Sequence, residues 1–454
     1  MLKTRLFALV AVLMLAISVM SVSAQDGTIV DVAAGNEDFS TLVSLVQAAG
    51  LVDTLSGEGP FTVFAPTNEA FAALPAAVVD YLLANTDLLT QVLTYHVIDG
   101  AVTSDMIGED MMVASLDMGN EISVTTEGGI AVDGANVVIA DVAASNGVIH
   151  AIDAVLLPPI QLPEVVPAAV TGEIVTAGSS TVGPLTIAIA DNFASDGYAG
   201  NVSIDIIGSG GGFARFCEDG DSDIANASRA IREGEVEACA ALDPARLPIE
   251  FRVGTDGIAV VVNPANDFAT ELTAEQLAAV FTTATTWADV DPSWPDEDII
   301  RYIPGEASGT FGFFGEVVLD DENGEALLAA SNINPNEDDN ILLNGVAGNE
   351  FAVGFFGYAY YSQNADALTL VSVDGVQPTA ASVESGEYLL ARPLFLYSDA
   401  GIIAEKPQIG EFVNYYLTTV NDVIDAVGYF PASERTLRFA RLQLLVALDA
   451  MMGM

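Results

Sequence analysis

The chain has 454 residues, 51% of them hydrophobic, and a formal net charge of −50 at pH 7. This length favours two or three globular units, and the apolar content excludes wholesale disorder. Residues 26–214 contain neither lysine nor arginine, which excludes nucleic acid as a partner because nothing in that half could neutralise its phosphates. The acidic, lysine-poor composition suggests a protein that works outside the cell.

The first residues have the pattern of a secretory signal. A positively charged start over residues 1–5 precedes an apolar run over 6–20 and a small-residue exit at Val22-Ser23-Ala24. The alternative, a retained membrane anchor, is disfavoured because the apolar run is short for a membrane span. We therefore expect a signal peptide over residues 1–24 and a secreted protein, either periplasmic or at the extracellular cell surface.

The next part of the chain predicts an α+β unit. Its patterns are an amphipathic stretch, a β-rich run, helical patterns and short alternating strands, at residues 39–49, 61–64, from Glu69 and Leu88, and at 122–126, 130–132, 137–140 and 148–152. A proline-rich stretch, four prolines within 158–167, follows. It predicts an extended, semi-rigid linker over residues 159–172.

Three segments of this unit carry a family resemblance. Residues 62–71, 93–97 and 146–153 closely resemble the three signature segments of the fasciclin (FAS1) family, in order and at normal separations. The resemblance covers about residues 26–158. It implies a compact β-sandwich wrapped by helices, a fold associated with cell adhesion and matrix contacts.

The two histidines of the chain, His96 and His150, both fall in this unit. A catalytic or metal-binding role would need cysteines or a clustered carboxylate motif nearby, and none is present in the pattern. A hydrogen-bonded structural role is therefore the favoured interpretation.

Downstream, strands alternate with helices. The order is a strand at 173–177, a helix from about Pro184, a strand at 203–207, a helix that begins in a glycine run, and a strand at 258–263. This alternation predicts an α/β fold with parallel sheets, in which ligands bind at the carboxyl ends of the strands.

Loops at such strand ends supply the parts of an anion site: backbone N–H groups, hydroxyls and a positive side chain. Each part has a plainer interpretation on its own, as a helix cap, a flexible turn or a surface ion-pair arginine. Taken together they predict one site. The loops are residues 177–184 with Ser180 and Thr181, 208–213 with Ser209, 223–229 with Ser228 and Arg229, and 302–311 with Ser308, Gly309 and Thr310.

In this order the loops resemble the periplasmic phosphate-binding proteins of ABC-type phosphate importers, over about residues 173–446. Segments 257–264, 354–361 and 392–395 support the likeness. The resemblance implies a two-lobed α/β periplasmic-binding-protein fold of type II over residues 173–454. Its lobes would be 173–255 plus 361–454 and 256–360, closing like a hinge on the ligand. It also implies phosphate contacts at Ser180, Thr181, Ser209, Ser228, Arg229, Ser308, Gly309 and Thr310, and an ABC phosphate permease as partner.

One departure lies within the variation of that family. Some members have an arginine four residues before the Ser-Gly-Thr serine and an aspartate after the third-loop serine, where this chain has Pro304 and Arg229. We therefore expect Arg229 to be the sole cationic ligand. The acceptor that would distinguish phosphate from sulfate is left open, with Glu306 and Asp223 as candidates.

The only two cysteines, Cys217 and Cys239, lie close together in a chain expected to be exported. A disulfide between them is the natural interpretation. Two buried thiols or half of a metal site is the weaker alternative, because neither histidine is near in sequence.

The two resemblances imply capture of inorganic phosphate for import, with the fasciclin-like module as an anchor or spacer that meets a cell-surface or matrix partner. No metal site, cofactor or catalytic residue is predicted. A phosphatase is disfavoured because both histidines lie in the other module, so no nucleophile–base arrangement can be assembled. An adhesion or matrix protein that uses the phosphate module for sensing or attachment remains the alternative.

Overall fold

The computed structural model describes residues 27–452 except 109–110, 118, 127–128, 307 and 322–323, with side chains to residue 449. The predicted signal peptide, residues 1–24, lies outside the described residues. The chain divides into two compact units, Met1–Pro158 and Pro159–Met454. Within the described ranges, no helix combines the length and the apolar character that crossing a membrane requires.

The first unit contains a 7-stranded sheet in the order β2-β1-β7-β6-β5-β4-β3. The β1–β7 pair is parallel and the other neighbours are antiparallel. The strands are β1 Phe61–Pro66, β2 Val97–Asp99, β3 Met111–Ala114, β4 Glu121–Thr125, β5 Ala131–Val132, β6 Ala135–Ala144 and β7 Gly147–Ile152.

The two ends of this sheet meet. The Leu116 N–H, just after β3, donates to Val97 O of β2 at 2.7 Å, and Ile98 forms a bridge with Ser115. Phe64 and other apolar side chains fill the space that the strands enclose. Among the described residues the strands thus form one continuous, nearly closed path, and the two separate facing sheets of the predicted sandwich are not distinguished.

Helices cover the first unit, and side chains cap several of them. Thr67 Oγ1 accepts from Ala70 N at 3.2 Å at the start of α4, and Asn85 Oδ1 accepts from Leu88 N at 3.2 Å at the start of α6. The helices are α1 Ile29–Ala34, α2 Ser40–Ala48, α3 Val52–Leu55, α4 Asn68–Ala72, α5 Ala76–Ala84 and α6 Thr86–Tyr95.

Both histidines of this unit have structural hydrogen bonds. His96 Nε2 accepts from Leu156 N at 2.9 Å, so Nδ1 carries the proton donated to Val92 O at 2.7 Å. Burial lowers the pKa of His96 to about 4, which keeps it neutral. His150 likewise uses both ring nitrogens on backbone groups. The predicted structural role of the histidines is confirmed.

The second unit is built on a 10-stranded sheet, in which β14-β13-β15-β11-β18-β10-β8-β9 are neighbours in that order and β16 and β19 also pair with β11. A separate 2-stranded sheet pairs β12 with β17. The strands of the unit are β8 Glu173–Gly178, β9 Asn201–Ile206, β10 Ile224–Ala227, β11 Ile249–Val262, β12 Glu271–Leu272, β13 Ile300–Pro304, β14 Ile333–Asn336, β15 Ala352–Gly357, β16 Thr369–Leu370, β17 Ser372–Val373, β18 Ala391–Ser398 and β19 Phe430–Pro431.

Parallel pairs form both ends of the large sheet, as the alternation of strands and helices predicted, but β11 and β18 cross its middle as an antiparallel pair. The helices of this unit are α7 Val182–Ser195, α8 Gly208–Ala214, α9 Glu233–Ala240, α10 Ala274–Phe281, α11 Trp287–Val290, α12 Gly309–Leu319, α13 Glu325–Leu328, α14 Asp339–Ala347, α15 Tyr358–Ser362, α16 Ala380–Ser385, α17 Ala400–Glu405, α18 Pro407–Val427 and α19 Glu434–Met452. A π-helical turn, Arg215–Asp219, extends α8.

One large apolar core includes residues from the first half of β11, and another includes residues from its second half. Val253 of β11 and Leu394 of β18 belong to one core, whereas Ile258 of β11 and Leu390 just before β18 belong to the other. Each crossing strand therefore passes from one core to the other within a few residues. These two strands therefore connect the two cores.

The sequence-based boundary at residue 361 needs correction. Val371, Val383 and Leu390 lie in the second core, although the sequence assigned them to the first lobe. The reason is strand pairing: β16 pairs with β11 and β17 pairs with β12 before the chain turns back. The chain returns to the first core only through β18.

The proline-rich segment is not a free spacer. Ile160 is 7% exposed, and Leu162, Val165 and Val170 pack against the first core of the second unit. The Asn414 amide of α18 also donates to Pro163 O at 2.9 Å. Apolar residues between the prolines therefore attach this segment to the second unit, an effect that proline content alone did not reveal.

Candidate anion-binding site

The first site loop joins β8 to α7. Ser179 Oγ accepts from the Thr181 and Val182 N–H groups at 3.1 and 3.4 Å, which satisfies donors at the start of the helix. The Tyr429 hydroxyl donates to Thr181 O at 2.8 Å and fixes the loop from the other side. Ser179, Ser180 and Thr181 all line the cleft that lies beside this loop.

The second and third loops meet the first through their hydroxyls. Ser228 Oγ lies 3.0 Å from Ser179 Oγ and 3.3 Å from Ser209 Oγ, and the Ser228 N–H donates to Ser209 Oγ at 3.1 Å. The meeting follows from the sheet, because β8 lies between β10 and β9 and is parallel to both. The carboxyl ends of these strands therefore share one edge, as predicted for this fold.

Arg229 is held in place by Glu235. Its Nη1 and Nη2 donate to Glu235 Oε2 and Oε1 at 2.9 and 2.7 Å, and Nη1 also donates to Ala230 O at 3.0 Å. Its guanidinium lies 5.1 Å from the centre of the Phe213 ring. The hydrogen bond to Glu235 raises the pKa of Arg229. In the described part of the chain, no group accepts a hydrogen bond from the Nε–H or from the second Nη2 proton of Arg229. These two protons can therefore be donated to a ligand.

The fourth loop places Gly309 against the first. Ser308 caps α12, since its Oγ accepts from Thr310 N at 3.2 Å. A Cβ at Gly309 would lie 3.0 Å from Ser180 Oγ and 3.3 Å from Thr181 Oγ1. Loops that belong to different cores therefore touch here, and the glycine leaves the space between them open.

A buried ion pair at the floor of the cleft was not predicted. Arg392 Nε and Nη2 donate to Asp256 Oδ2 at 2.9 and 2.7 Å, and Nη1 donates to Gly309 O at 3.1 Å. Arg392 is 7% exposed and Asp256 3% exposed. The two residues are partners in the β11–β18 register. In the sequence, residues 392–395 only support the family resemblance, and no local pattern points to Asp256.

The site residues line two adjoining parts of one cleft, about 440 and 370 Å³ in volume. Both parts include Ser180, Thr181, Gly309 and Arg392. The first part also includes Ser209, Ser228, Arg229 and Arg232, and the second also includes Ser308, Thr310 and Asp256. All predicted site residues thus meet at the cleft, but Ser308 and Thr310 lie in the neighbouring part, and Arg229 is not the only cation there.

Neither acceptor suggested from the sequence lines this cleft. Asp223 is buried, with Oδ1 bonded to Lys406 Nζ at 2.6 Å and Oδ2 accepting from Val175 N at 2.9 Å. Glu306 is exposed and is absent from the lining of both parts. The carboxylates that do line it are Asp256, Glu316, Glu337 and Asp339.

The disulfide prediction is confirmed, because Cys217 and Cys239 are bonded. The bond ties the π-helical turn after α8 to α9 and encloses the segment that contains Ser228, Arg229 and Glu235. It therefore anchors both ends of the arginine-bearing loop.

Chemically, the cleft suits a tetrahedral oxyanion. Hydroxyls, the amide-rich starts of α7 and α12, and two carboxylate-held guanidiniums converge on it. The described residues contain no group of three or more histidine, cysteine, aspartate or glutamate side chains that could hold a metal ion. Two cores joined by crossing strands, with a cleft between them, define an α/β fold of the periplasmic-binding-protein type.

The chain belongs to the PBP superfamily: the family described as "PBP superfamily domain" matches residues 165–419. The fasciclin resemblance is also confirmed, because the family described as "Fasciclin domain" matches residues 37–158. The two matches fall one in each compact unit of the structure.

The second unit is similar to several bacterial proteins, and two of the three described here have names that refer to phosphate. The chain is 37% identical over 275 residues to protein SphX of Synechocystis, which covers 58% of this chain and 80% of that protein. It is 34% identical over 288 residues to the phosphate-binding protein PstS of Staphylococcus saprophyticus, covering 62% and 87%. The crystal structure of "a possible phosphate binding protein" from Planctomyces limnophilus is 35% identical, with a TM-score of 0.56, covering 62% of this chain and 99% of that one.

Proposed function

We propose that the second unit captures inorganic phosphate in this cleft and passes it to an ABC-type permease. The observation that carries the proposal is the meeting of hydroxyl-bearing loops from both cores around Arg229 and Arg392. The names of two similar proteins, the phosphate-binding protein PstS of Staphylococcus saprophyticus and the possible phosphate binding protein of Planctomyces limnophilus, support the same ligand. Binding, without covalent chemistry, is the proposed activity, since both histidines lie in the other unit with their ring nitrogens bonded to backbone groups.

The proposed ligands divide between the two sides of the cleft. One side supplies the hydroxyls of Ser180, Thr181, Ser209 and Ser228 together with Arg229, and the other supplies the start of α12. Arginine suits an oxyanion because its planar fork can donate two parallel hydrogen bonds. The proposed ligands of the second side are Ser308, Gly309 and Thr310.

We propose that the second unit has two lobes that close over the ligand. The structure supports lobes of 173–255 plus about 391–454 and of 256–390, because the cores change at these points of β11 and β18. Antiparallel strands that connect two cores can act as a hinge, since small changes along them rotate one lobe against the other.

For the first unit, residues 26–158, we propose the β-sandwich of the fasciclin family and a role in holding the protein at a cell surface or matrix. The match to the fasciclin family supports it. The expected signal peptide and the disulfide support export, because disulfides persist in oxidising compartments. The proposed location is therefore periplasmic or at the extracellular surface.

Calorimetric titration of the purified full chain with phosphate tests this proposal. We expect saturable binding of one phosphate per chain in the parent protein and no binding heat in Arg229→Glu, which replaces a cation by a repelling charge. Arg215→Gln is the matched control, because Arg215 pairs with Asp205 and Asp221 and does not line the cleft. Undiminished affinity in Arg229→Glu would reject the role of Arg229, and absence of binding in the parent would reject the function.

A further inference from the structure

A glutamate of the proposed second lobe is bonded to the first lobe. Glu384 lies on α16 next to Val383, which packs in the second core. Its Oε1 accepts from the Ser433 hydroxyl at 2.8 Å and from the Thr436 hydroxyl at 2.5 Å. These two donors stand at the start of α19, a helix whose Leu437 packs in the first core. One carboxylate therefore connects a helix of each lobe.

The same glutamate also faces an arginine of the crossing strand β11. Arg252 Nη2 lies 3.3 Å from Glu384 Oε2 and donates to the backbone oxygen of Glu384 at 3.2 Å. The register of β11 with β18 is irregular directly after Arg252, and an irregularity of this kind bends a strand locally. Arg252 thus joins Glu384 to β11 just before that strand passes to the second core. We call Glu384, Arg252, Ser433 and Thr436 the inter-lobe cluster.

The inter-lobe cluster is sensitive to small shifts between the lobes. Its two charged side chains are mostly buried, with 26% of Arg252 and 21% of Glu384 exposed. Among the described residues, the buried atoms Arg252 Nε and Glu384 Oε2 have no hydrogen-bond partner. The pair is therefore held by the attraction of opposite charges across 3.3 Å, and this attraction weakens as the charges separate. A rotation of one lobe against the other would change that separation.

The inter-lobe cluster is formed in an arrangement whose site loops are in contact across the cleft. A Cβ on Gly309 of the second lobe would lie 3.0 Å from Ser180 Oγ of the first. Arg392 of β18 also donates to Gly309 O at 3.1 Å. A ligand held by groups from both lobes binds such a closed arrangement more tightly than an open one. Bonds that favour the closed arrangement therefore raise the affinity for the ligand.

We propose that the inter-lobe cluster, centred on Glu384, stabilises the closed arrangement and thereby slows the release of phosphate. The inference rests on the proposed phosphate function and on the proposed lobes. Glu384 is a positioning residue, because it lines neither part of the cleft. It acts on the ligand only through the position of the second lobe against the first.

The test measures how fast bound phosphate leaves the full-length protein. Protein loaded with radiolabelled phosphate is mixed with an excess of unlabelled phosphate, and the label that stays bound is counted over time. Glu384→Gln keeps the size of the side chain but removes the charge that attracts Arg252. We expect release to become about 5- to 30-fold faster, the range for a net loss of one or two hydrogen bonds. The association rate, obtained from the release rate and the calorimetric Kd, is expected to stay unchanged.

Glu434→Gln is the matched control for this experiment. Glu434 is also a glutamate at the start of α19, but it pairs with Arg441 of the same helix, at 3.8 Å. Its substitution removes the same charge without touching a bond between the lobes. The release rate of this variant is expected to equal that of the parent protein.

Several outcomes would overturn the proposal. One is release at the parent rate in Glu384→Gln, and another is a loss of affinity that comes only from slower association. A merely structural role would lower the fraction of chains that bind without changing their release rate. If Glu384→Gln does not fold, Thr436→Val removes one hydroxyl of the inter-lobe cluster and must still speed release; an unchanged rate there also overturns the proposal. A parent protein that binds no phosphate refutes the proposed function, and this inference falls with it.

Discussion

The buried arginine and the cleft arginines of this acidic chain have different hydrogen-bond partners. Arg301 is fully buried and, among the described residues, donates only to backbone carbonyl oxygens, those of Val280, Ala284, Ile299 and Ser331. Burial lowers its pKa to about 10. Arg229 and Arg392 instead each pair with a carboxylate and keep further donors at the cleft. Positive charge can therefore be presented to an anion in a chain of net charge −50.

At the same scale, His96 makes the first unit sensitive to acid. Burial lowers its pKa from 6.5 to about 4, so between these values the unfolded chain binds a proton that the folded chain does not. The stability that the neutral imidazole contributes is complete above the unfolded value and is lost as the pH falls toward the folded one. The loss should reach about 3 kcal/mol in the free energy of unfolding near the lower pH.

Urea unfolding at several pH values can measure this loss. Both tryptophans, Trp287 and Trp294, lie in the second unit, so a transition seen by circular dichroism but not by tryptophan fluorescence belongs to the first. We expect its midpoint to fall as the pH drops from about 6.5 to 4.5, and His96→Gln to weaken that dependence. A midpoint independent of pH in the parent protein would contradict the assignment. The pKa values of Asp31 and Asp141 are also lowered, from a reference value of 3.8. Their protonation therefore changes the stability of the first unit only at a pH below the range of this experiment.

At the scale of elements, the disulfide braces the loop between α8 and α9. Cys217 and Cys239 are 22 residues apart, and closing a loop of this size stabilises the folded state by about 3 kcal/mol in the chain-entropy model. The double variant Cys217→Ser/Cys239→Ser should therefore unfold at lower urea when followed by tryptophan fluorescence, with the transition of the first unit unchanged. Equal midpoints for the second unit would contradict this role.

Elements that follow a local pattern could be predicted from the sequence, and contacts between distant strands could not. The loops at Ser180, Ser209 and Gly309 were recognisable because hydroxyls and glycines directly follow apolar strands. The Asp256–Arg392 pair joins residues 136 apart, and it exists because β11 and β18 are neighbours in one register. No local pattern specifies that register. For the same reason, the sequence did not predict that residues 159–172 pack on the first core of the second unit, or that residues 361–390 belong with the second core.

At the scale of the molecule, net charge opposes the proposed ligand. The residues that line the cleft include the carboxylates of Asp256, Glu316, Glu337 and Asp339. At physiological salt, charges beyond about 8 Å are largely screened, so attraction must come from groups that touch the anion. This agrees with a site whose guanidiniums are fixed in advance by Glu235 and Asp256, since pre-organised donors need little ordering on binding.

The most direct test of the account is native mass spectrometry of the full chain with phosphate, for the parent protein and Gly309→Val. The substitution removes no side-chain donor but fills the space beside Ser180 and Thr181, where even a Cβ would lie 3.0 and 3.3 Å from their hydroxyl oxygens. We expect one bound phosphate per chain in the parent protein and none in the variant. A parent protein without phosphate, or a variant that binds it equally well, would contradict the claim that this cleft is the site.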